Sequence, residues 1–269
     1  MQHLELNADN TFLWVALVCE NLKNVPRWKI LAKLKEFPPG LDLLYQRMLN
    51  QICESEDTDL CKQILAIAST VYRPITLMEA TSIIETLADI ADDRESLAAI
   101  IGLCGSFLTL REDTVSFIHQ SAKDFLMKKA SKEILPLGID NVHYTIFSRS
   151  VLAMSSTLRR DIYELRDPGI YVYQVKQPDP DPLVALEYSC LYWVDHLLEC
   201  QARKAVVKGL KDCGFIYSFL RQYLLYWLEA LSLFHCVSEG IVIIKKLEDL
   251  LVRSNILSIP SIDQLANVN

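Results

Sequence analysis

The sequence predicts a mainly α-helical fold: a helical bundle, then a winged helix with one β-hairpin, then an α-helical array. Three observations carry this. Gly and Pro are scarce, at 8 and 10 of 269 residues, and apolar residues recur at helical spacing along most of the chain. Two short β-branched and aromatic runs, Phe107–Leu110 and Thr114–Ile118, flank the polar Arg111-Glu112-Asp113 and read as a hairpin. Directly after it the period changes, with Ala122, Phe125, Leu126 and Ala130 on one helical stripe.

In chain order, Asp9 or Asn10 is expected to cap a helix from Thr11 to about Leu22, with Phe12, Val15, Ala16 and Cys19 inward. A shorter helix begins at Pro26-Arg27 and is broken by Phe37-Pro38-Pro39-Gly40; a third runs from Leu41 to Cys53. The acidic Glu54–Asp57 marks a seam. The next unit opens with a helix at about Asp59–Val71. Thr76 and Glu79 have capping-box spacing for a helix reaching about Ala88, and Glu95–Cys104 supplies the third helix before the hairpin. A helix at about Ser121–Ser131 closes that unit. Further helices are expected at about Asn141–Ser156, Leu183–Cys200, Phe215–Phe234 and Ser238–Val252, with the stiff Pro178-Asp179-Pro180-Asp181-Pro182 between the first two. The predicted domains are a helical lid (1–55), a winged helix (56–132), a second helical domain (133–253) and a tail (254–269).

Composition narrows the function. A net charge of −7 argues against free nucleic acid as a partner, since phosphate binding needs clustered Lys and Arg. A DNA-reading winged helix would use Glu95–Cys104, which carries no cation. The longest uncharged apolar run, Leu97–Leu110, falls short of the roughly 20 residues that cross a bilayer, so no membrane span is expected. The 8 cysteines form no Cys-x-x-Cys pair and read as buried reduced thiols, which fits a cytoplasmic protein without a metal site. No Gly-rich phosphate loop is found, and His119, Ser121 and Asp124 lie along one strand-to-helix step where a catalytic triad would converge from separate segments. The chain by itself is therefore read as no enzyme. Aromatics such as Tyr188, Tyr192, Phe219, Tyr223 and Trp227 sit at core spacing.

Several segments resemble a known family. Thr11-Phe12-Leu13-Trp14, Pro38-Pro39-Gly40-Leu41 with Tyr45, Arg73-Pro74-Ile75-Thr76-Leu77, and Phe117-Ile118-His119-Gln120-Ser121 with Lys123-Asp124-Phe125-Leu126 are similar to motifs of fungal NACHT-type signal-transducing ATPases related to heterokaryon-incompatibility proteins. Ile162–Gly169, Tyr188–Leu197 and Trp227-Leu228-Glu229-Ala230-Leu231 share the likeness. The resemblance implies the region C-terminal to an ATPase core, the regulatory arm of a nucleotide-gated switch. It assigns His119 to the β-phosphate of bound ADP in the closed state, and Thr11 and Phe12 to the neighbourhood of the adenine. Gln120 follows the fungal pattern, and Asn10 stands where the family has glycine. No cofactor is expected on this chain alone, with ADP or ATP in a full-length protein. The implied partners are an upstream ATPase core and a downstream repeat domain, with homo-oligomerisation on activation. The rival reading is a nucleotide-independent helical scaffold or truncated decoy.

Overall fold

The computed structural model describes residues 11–253 apart from 24, 167–168 and 201–214. Asp9, Asn10, Cys213 and the predicted tail lie outside the described residues. The chain packs as two compact units, Met1–Leu77 with Thr86–Gly138, and Met78–Glu85 with Ile139–Asn269.

The first unit opens with α1 (Phe12–Leu22), whose first-turn boundary is Thr11; its carbonyl accepts the Trp14 N–H at 3.1 Å. Only Trp14, Leu17 and Val18 of α1 are buried, so the inward face is rotated away from the predicted Phe12, and Phe12 is 84% exposed. Then come α2 (Arg27–Leu34), α3 (Leu41–Cys53) and α4 (Thr58–Thr70). Gly40 precedes α3 at φ 76°, a left-handed conformation that glycine adopts without a Cβ penalty. Arg47 of α3 bridges back to the Glu36 carbonyl and carboxylate, and its guanidinium lies 4.7 Å from the centre of the Phe37 ring, so the Phe-Pro-Pro-Gly turn is pinned to the helix it introduces.

The winged-helix region adds β1 (Ile75–Thr76), α5 (Leu77–Ile83), α6 (Glu85–Ala88) and α7 (Arg94–Leu103). A single 3₁₀ turn (Gly105–Phe107) leads into β2 (Leu108–Arg111), followed by β3 (Thr114–Phe117), α8 (Gln120–Lys128) and α9 (Ser131–Ile134). Asp93 caps α7, its carboxylate accepting the Ser96 N–H and hydroxyl, and those bonds hold it below the usual carboxylate range. The hairpin turn is tighter than the predicted Arg111–Asp113. Arg111 pairs with Thr114, leaving two residues, Glu112 (φ 47°) and Asp113 (φ 64°), in the left-handed conformation that suits the twist of a two-residue loop. The sheet also has a third strand that the sequence reading missed. Antiparallel β1 pairs Ile75 with Val115 and Thr76 with Thr114, giving the order β1-β3-β2. The predicted helix to Ala88 divides at Ile84 into α5 and α6.

In the second unit, α10 (Ile139–Thr157) packs along α11 (Glu187–Glu199), and α12 (Phe215–Leu233) and α13 (Val237–Arg253) close around α11. Leu183–Leu186 form turns ahead of α11 where a longer helix was expected. The core gathers Phe147, Trp193, Phe219, Trp227 and Leu231, with Tyr223 partly buried against it. A Cβ on Gly240 would stand 2.6 Å from Cδ1 of Leu231, so glycine lets α13 approach α12 closely. Glu79, 1% exposed, accepts the Tyr188 N–H at 3.0 Å and so satisfies a donor in the first turn of α11.

Candidate functional site

His119 is the last extended residue before α8, at φ −161° and ψ 151°. The strand-to-helix handover leaves the first N–H groups of α8 without helical partners, and the imidazole takes one of them. Nδ1 accepts the Ser121 N–H at 3.1 Å and stands 2.8 Å from the Ser121 hydroxyl. The Ser121 oxygen in turn lies 2.9 Å from the Tyr45 hydroxyl of α3. The network fixes the proton arrangement. A nitrogen that accepts a backbone N–H carries a lone pair, so the neutral ring holds its proton on Nε2. Ser121 then donates to Nδ1 and Tyr45 donates to Ser121. Burial raises the Tyr45 phenol above its ordinary range, with nearby Asp42 adding to it, so the phenol is a protonated donor at neutral pH.

The ring is exposed, and among the described residues its hydrogen bonds go only to Ser121. The result is one imidazole with a clamped Nδ1 and an Nε2–H presented to solvent. Such a group donates one hydrogen bond to an anion oxygen without first choosing a tautomer. Tyr45 is held as firmly as the histidine: its ring stacks on Phe107 at 5.6 Å and lies 5.5 Å from Phe125. Removing its hydroxyl (Tyr45→Phe) is expected to cost about 1 kcal/mol, the worth of one ordinary hydrogen bond, while leaving His119 clamped by the Ser121 amide. Urea unfolding of the variant measures this; a loss above about 3 kcal/mol would show the relay to be structurally dominant.

Asp124 does not complete a triad. Its carboxylate accepts from Gln120 at 2.9 Å and from Lys128 at 3.3 Å, and these bonds, Gln120 first, lower its pKa. Thr11 and Phe12 begin α1 on a separate element, Phe12 projecting into solvent, and the structure does not place either among the hydrogen-bond partners of His119. Sequence reasoning missed Tyr45 and Ser121 as partners of His119. The available signal was that each occurs in a segment already singled out. Indeed three of those segments are linked: Trp14 Nε1 donates to the Pro38 carbonyl at 3.0 Å, tying the first to the Pro-Pro-Gly turn, and the helix after that turn carries Tyr45 to Ser121.

Among the described residues, no group of three or more His, Cys, Asp or Glu could hold a metal ion, and no helix is long and apolar enough to cross a membrane. The described cysteines are all free thiols.

Comparison with known proteins extends these observations. Residues 46–134 match the winged-helix domain of GPI inositol-deacylase. The chain is 51% identical over 96% of its length to vegetative incompatibility protein HET-E-1 of Podospora anserina, and spans 20% of that relative's length. No solved structure matches it.

Proposed function

We propose, on the premise that this chain belongs with the fungal heterokaryon-incompatibility proteins of NLR-like type, that it is the regulatory arm of a nucleotide-gated signalling switch. The observation that carries the proposal is the single available donor of His119, its Nδ1 clamped at 3.1 Å by the Ser121 amide. In the closed state Nε2–H donates to a β-phosphate oxygen of ADP bound in an ATPase core upstream of this segment. Thr11 and Phe12 lie near the adenine, and a repeat domain follows downstream. Loss of the phosphate contact frees the arm, and the freed arms assemble. The arm itself hydrolyses nothing; nucleotide chemistry belongs to the core.

The division of labour proposed for the chain is a helical lid over residues 1–55, the winged helix over 56–132 that carries the sensor, and a second helical domain over 133–253. A donor that reaches ADP in one state and not in the other supplies a differential affinity, which is all that a two-state switch requires. A hydrogen bond to a charged oxygen contributes about 1.5–3 kcal/mol, enough to shift such an equilibrium by one to two orders of magnitude.

The test uses a full-length protein that carries this arm. His119→Ala is expected to weaken ADP binding about 10-fold to 100-fold and to open the particle, as seen by calorimetry and small-angle scattering with ADP. Ser121→Ala retains the backbone clamp and is expected to cost less than His119→Ala. If His119→Ala leaves both ADP affinity and the closed population unchanged, the sensor reading is wrong and the nucleotide-independent scaffold takes its place.

A further inference from the structure

Helix α2 departs from the rest of the chain in both packing and charge. It has no buried residue, although it contains Trp28, Ile30, Leu31 and Leu34. At 100° per residue, Trp28, Leu31, Ala32 and Lys35 project to one side, and all four are exposed. Trp28 is 78% and Leu31 74% exposed. Ile30, Lys33 and Leu34, on the opposite side, are partly covered. Lys33 pairs with Glu36 at 2.9 Å. Arg27 and Lys29 rim the outward face, with the Lys29 ammonium 4.6 Å from the centre of the Trp28 ring.

The local charge opposes the global one. From Asn21 to Lys35 the sequence carries Lys23, Arg27, Lys29, Lys33 and Lys35 and no acid, within a chain of net charge −7. Among the described residues, Arg27, Lys29 and Lys35 have no ion-pair partner. We propose that the outward face of α2 is an interfacial docking surface for anionic phospholipid headgroups. Charge selects the partner: an exposed face rimmed by cations without ion-pair partners is complementary to an anionic surface. Shape and chemistry select a lipid surface. The face is an exposed helix side with an indole and a leucine at its centre and cations on its rim. That is the layout of a helix lying in the plane of an interface, with the indole at headgroup depth and the ammonium groups among phosphates.

Trp28 provides its own reporter, because the other three tryptophans, Trp14, Trp193 and Trp227, are at most 1% exposed. The 269-residue chain is titrated with vesicles of phosphatidylcholine and phosphatidylserine, and separately with phosphatidylcholine alone. The expected result is a blue shift and loss of acrylamide quenching with the anionic vesicles only, reversed at about 0.5 M salt, where charges are screened within a few ångströms. Trp28→Phe abolishes the optical change. Lys29→Glu and Lys35→Glu each weaken co-sedimentation at least about fivefold, the effect of one cation near such a surface. Because α2 buries nothing, these variants keep the helical circular dichroism of the parent. Three results overturn the proposal: no change with anionic vesicles, an equal change with zwitterionic ones, or a salt-sensitive change with polyglutamate but not with vesicles. The last would assign the face to an acidic protein segment.

Discussion

Acidification from pH 6.5 towards 3 is expected to strip the second unit of on the order of 5 kcal/mol of stability through one residue, His196. This imidazole is fully buried on α11. Its Nε2 lies 2.7 Å from the Tyr188 hydroxyl and its Nδ1 lies 2.8 Å from Nδ1 of His143 on α10. Each nitrogen is thus satisfied while the ring is neutral. Burial first, then the neighbouring imidazole, depress the folded pKa from 6.5 to about 3. The unfolded chain takes up its proton near 6.5, so below that pH the unfolded state binds a proton that the fold refuses. Stability is therefore complete above about pH 6.5 and falls until the folded group itself titrates near 3.

His143 adds to the same trend. Burial lowers its pKa as well, opposed in part by Glu199 on α11 and Asp140 at the start of its own helix. Against a typical domain stability of about 5–15 kcal/mol, a loss of this size brings unfolding within reach of mild acid. Urea unfolding at a series of pH values, read by circular dichroism, checks this. His196→Gln keeps a neutral hydrogen-bonding side chain and is expected to flatten the slope between pH 6.5 and 4. An unchanged slope in that variant would place the acid sensitivity elsewhere.

The helices were legible in the sequence wherever an amphipathic stripe ran for three turns or more. Leu41–Cys53 was read to the residue, because Gly40 and the acidic run after it punctuate both ends. What failed was local information too short to carry a period. A two-residue strand such as Ile75–Thr76 has no alternation to read, and it exists only because β3 offers it an edge. The division at Ile84 has no Pro or Gly to announce it. The start of α11 lies four residues beyond the predicted Leu183, since Leu183 and Leu186 are as apolar as the helix that follows but are buried within turns.

The candidate site was half legible. His119 stood out from its position between strand and helix, whereas the hydroxyl relay behind its Nδ1 depends on the rotamers of His119 and Ser121 and on α3 bringing Tyr45 across 76 positions of sequence. Glu79 shows the same limit. Its spacing from Thr76 is local, but its contact with the Tyr188 amide spans 109 positions, and nothing in the pattern predicts that reach.

The largest loss from a single substitution at neutral pH is expected in the Trp227-Leu228-Glu229-Ala230-Leu231 segment, where likeness to a family and physical necessity coincide. Trp227, 1% exposed, meets Trp193 edge-on at 6.2 Å and donates its indole N–H to the Cys190 carbonyl at 3.0 Å. Two residues on, both carboxylate oxygens of Glu229 accept backbone N–H groups, from Asp161 and Ile162, each at 3.1 Å. Ala230 and Leu231 are fully buried, and Leu231 faces the close approach of Gly240. Leu228 packs partly buried against the same core, so every member has a packing or hydrogen-bonding task inside this unit.

Trp227→Ala is expected to cost about 3–5 kcal/mol, because it deletes a buried bicyclic ring and the surrounding core relaxes only partly into the space. Trp227→Phe separates the two contributions. It keeps most of the apolar volume and loses the N–H bond, so about 1–2 kcal/mol is expected. The difference between the two variants, about 2–3 kcal/mol, is the share of ring packing and exceeds that of the hydrogen bond. Urea midpoints of both variants at pH 7.5, where His196 is neutral in both states, decide the matter. Equal losses in the two variants would mean that the bond to Cys190, and not the ring, holds α12 against α11.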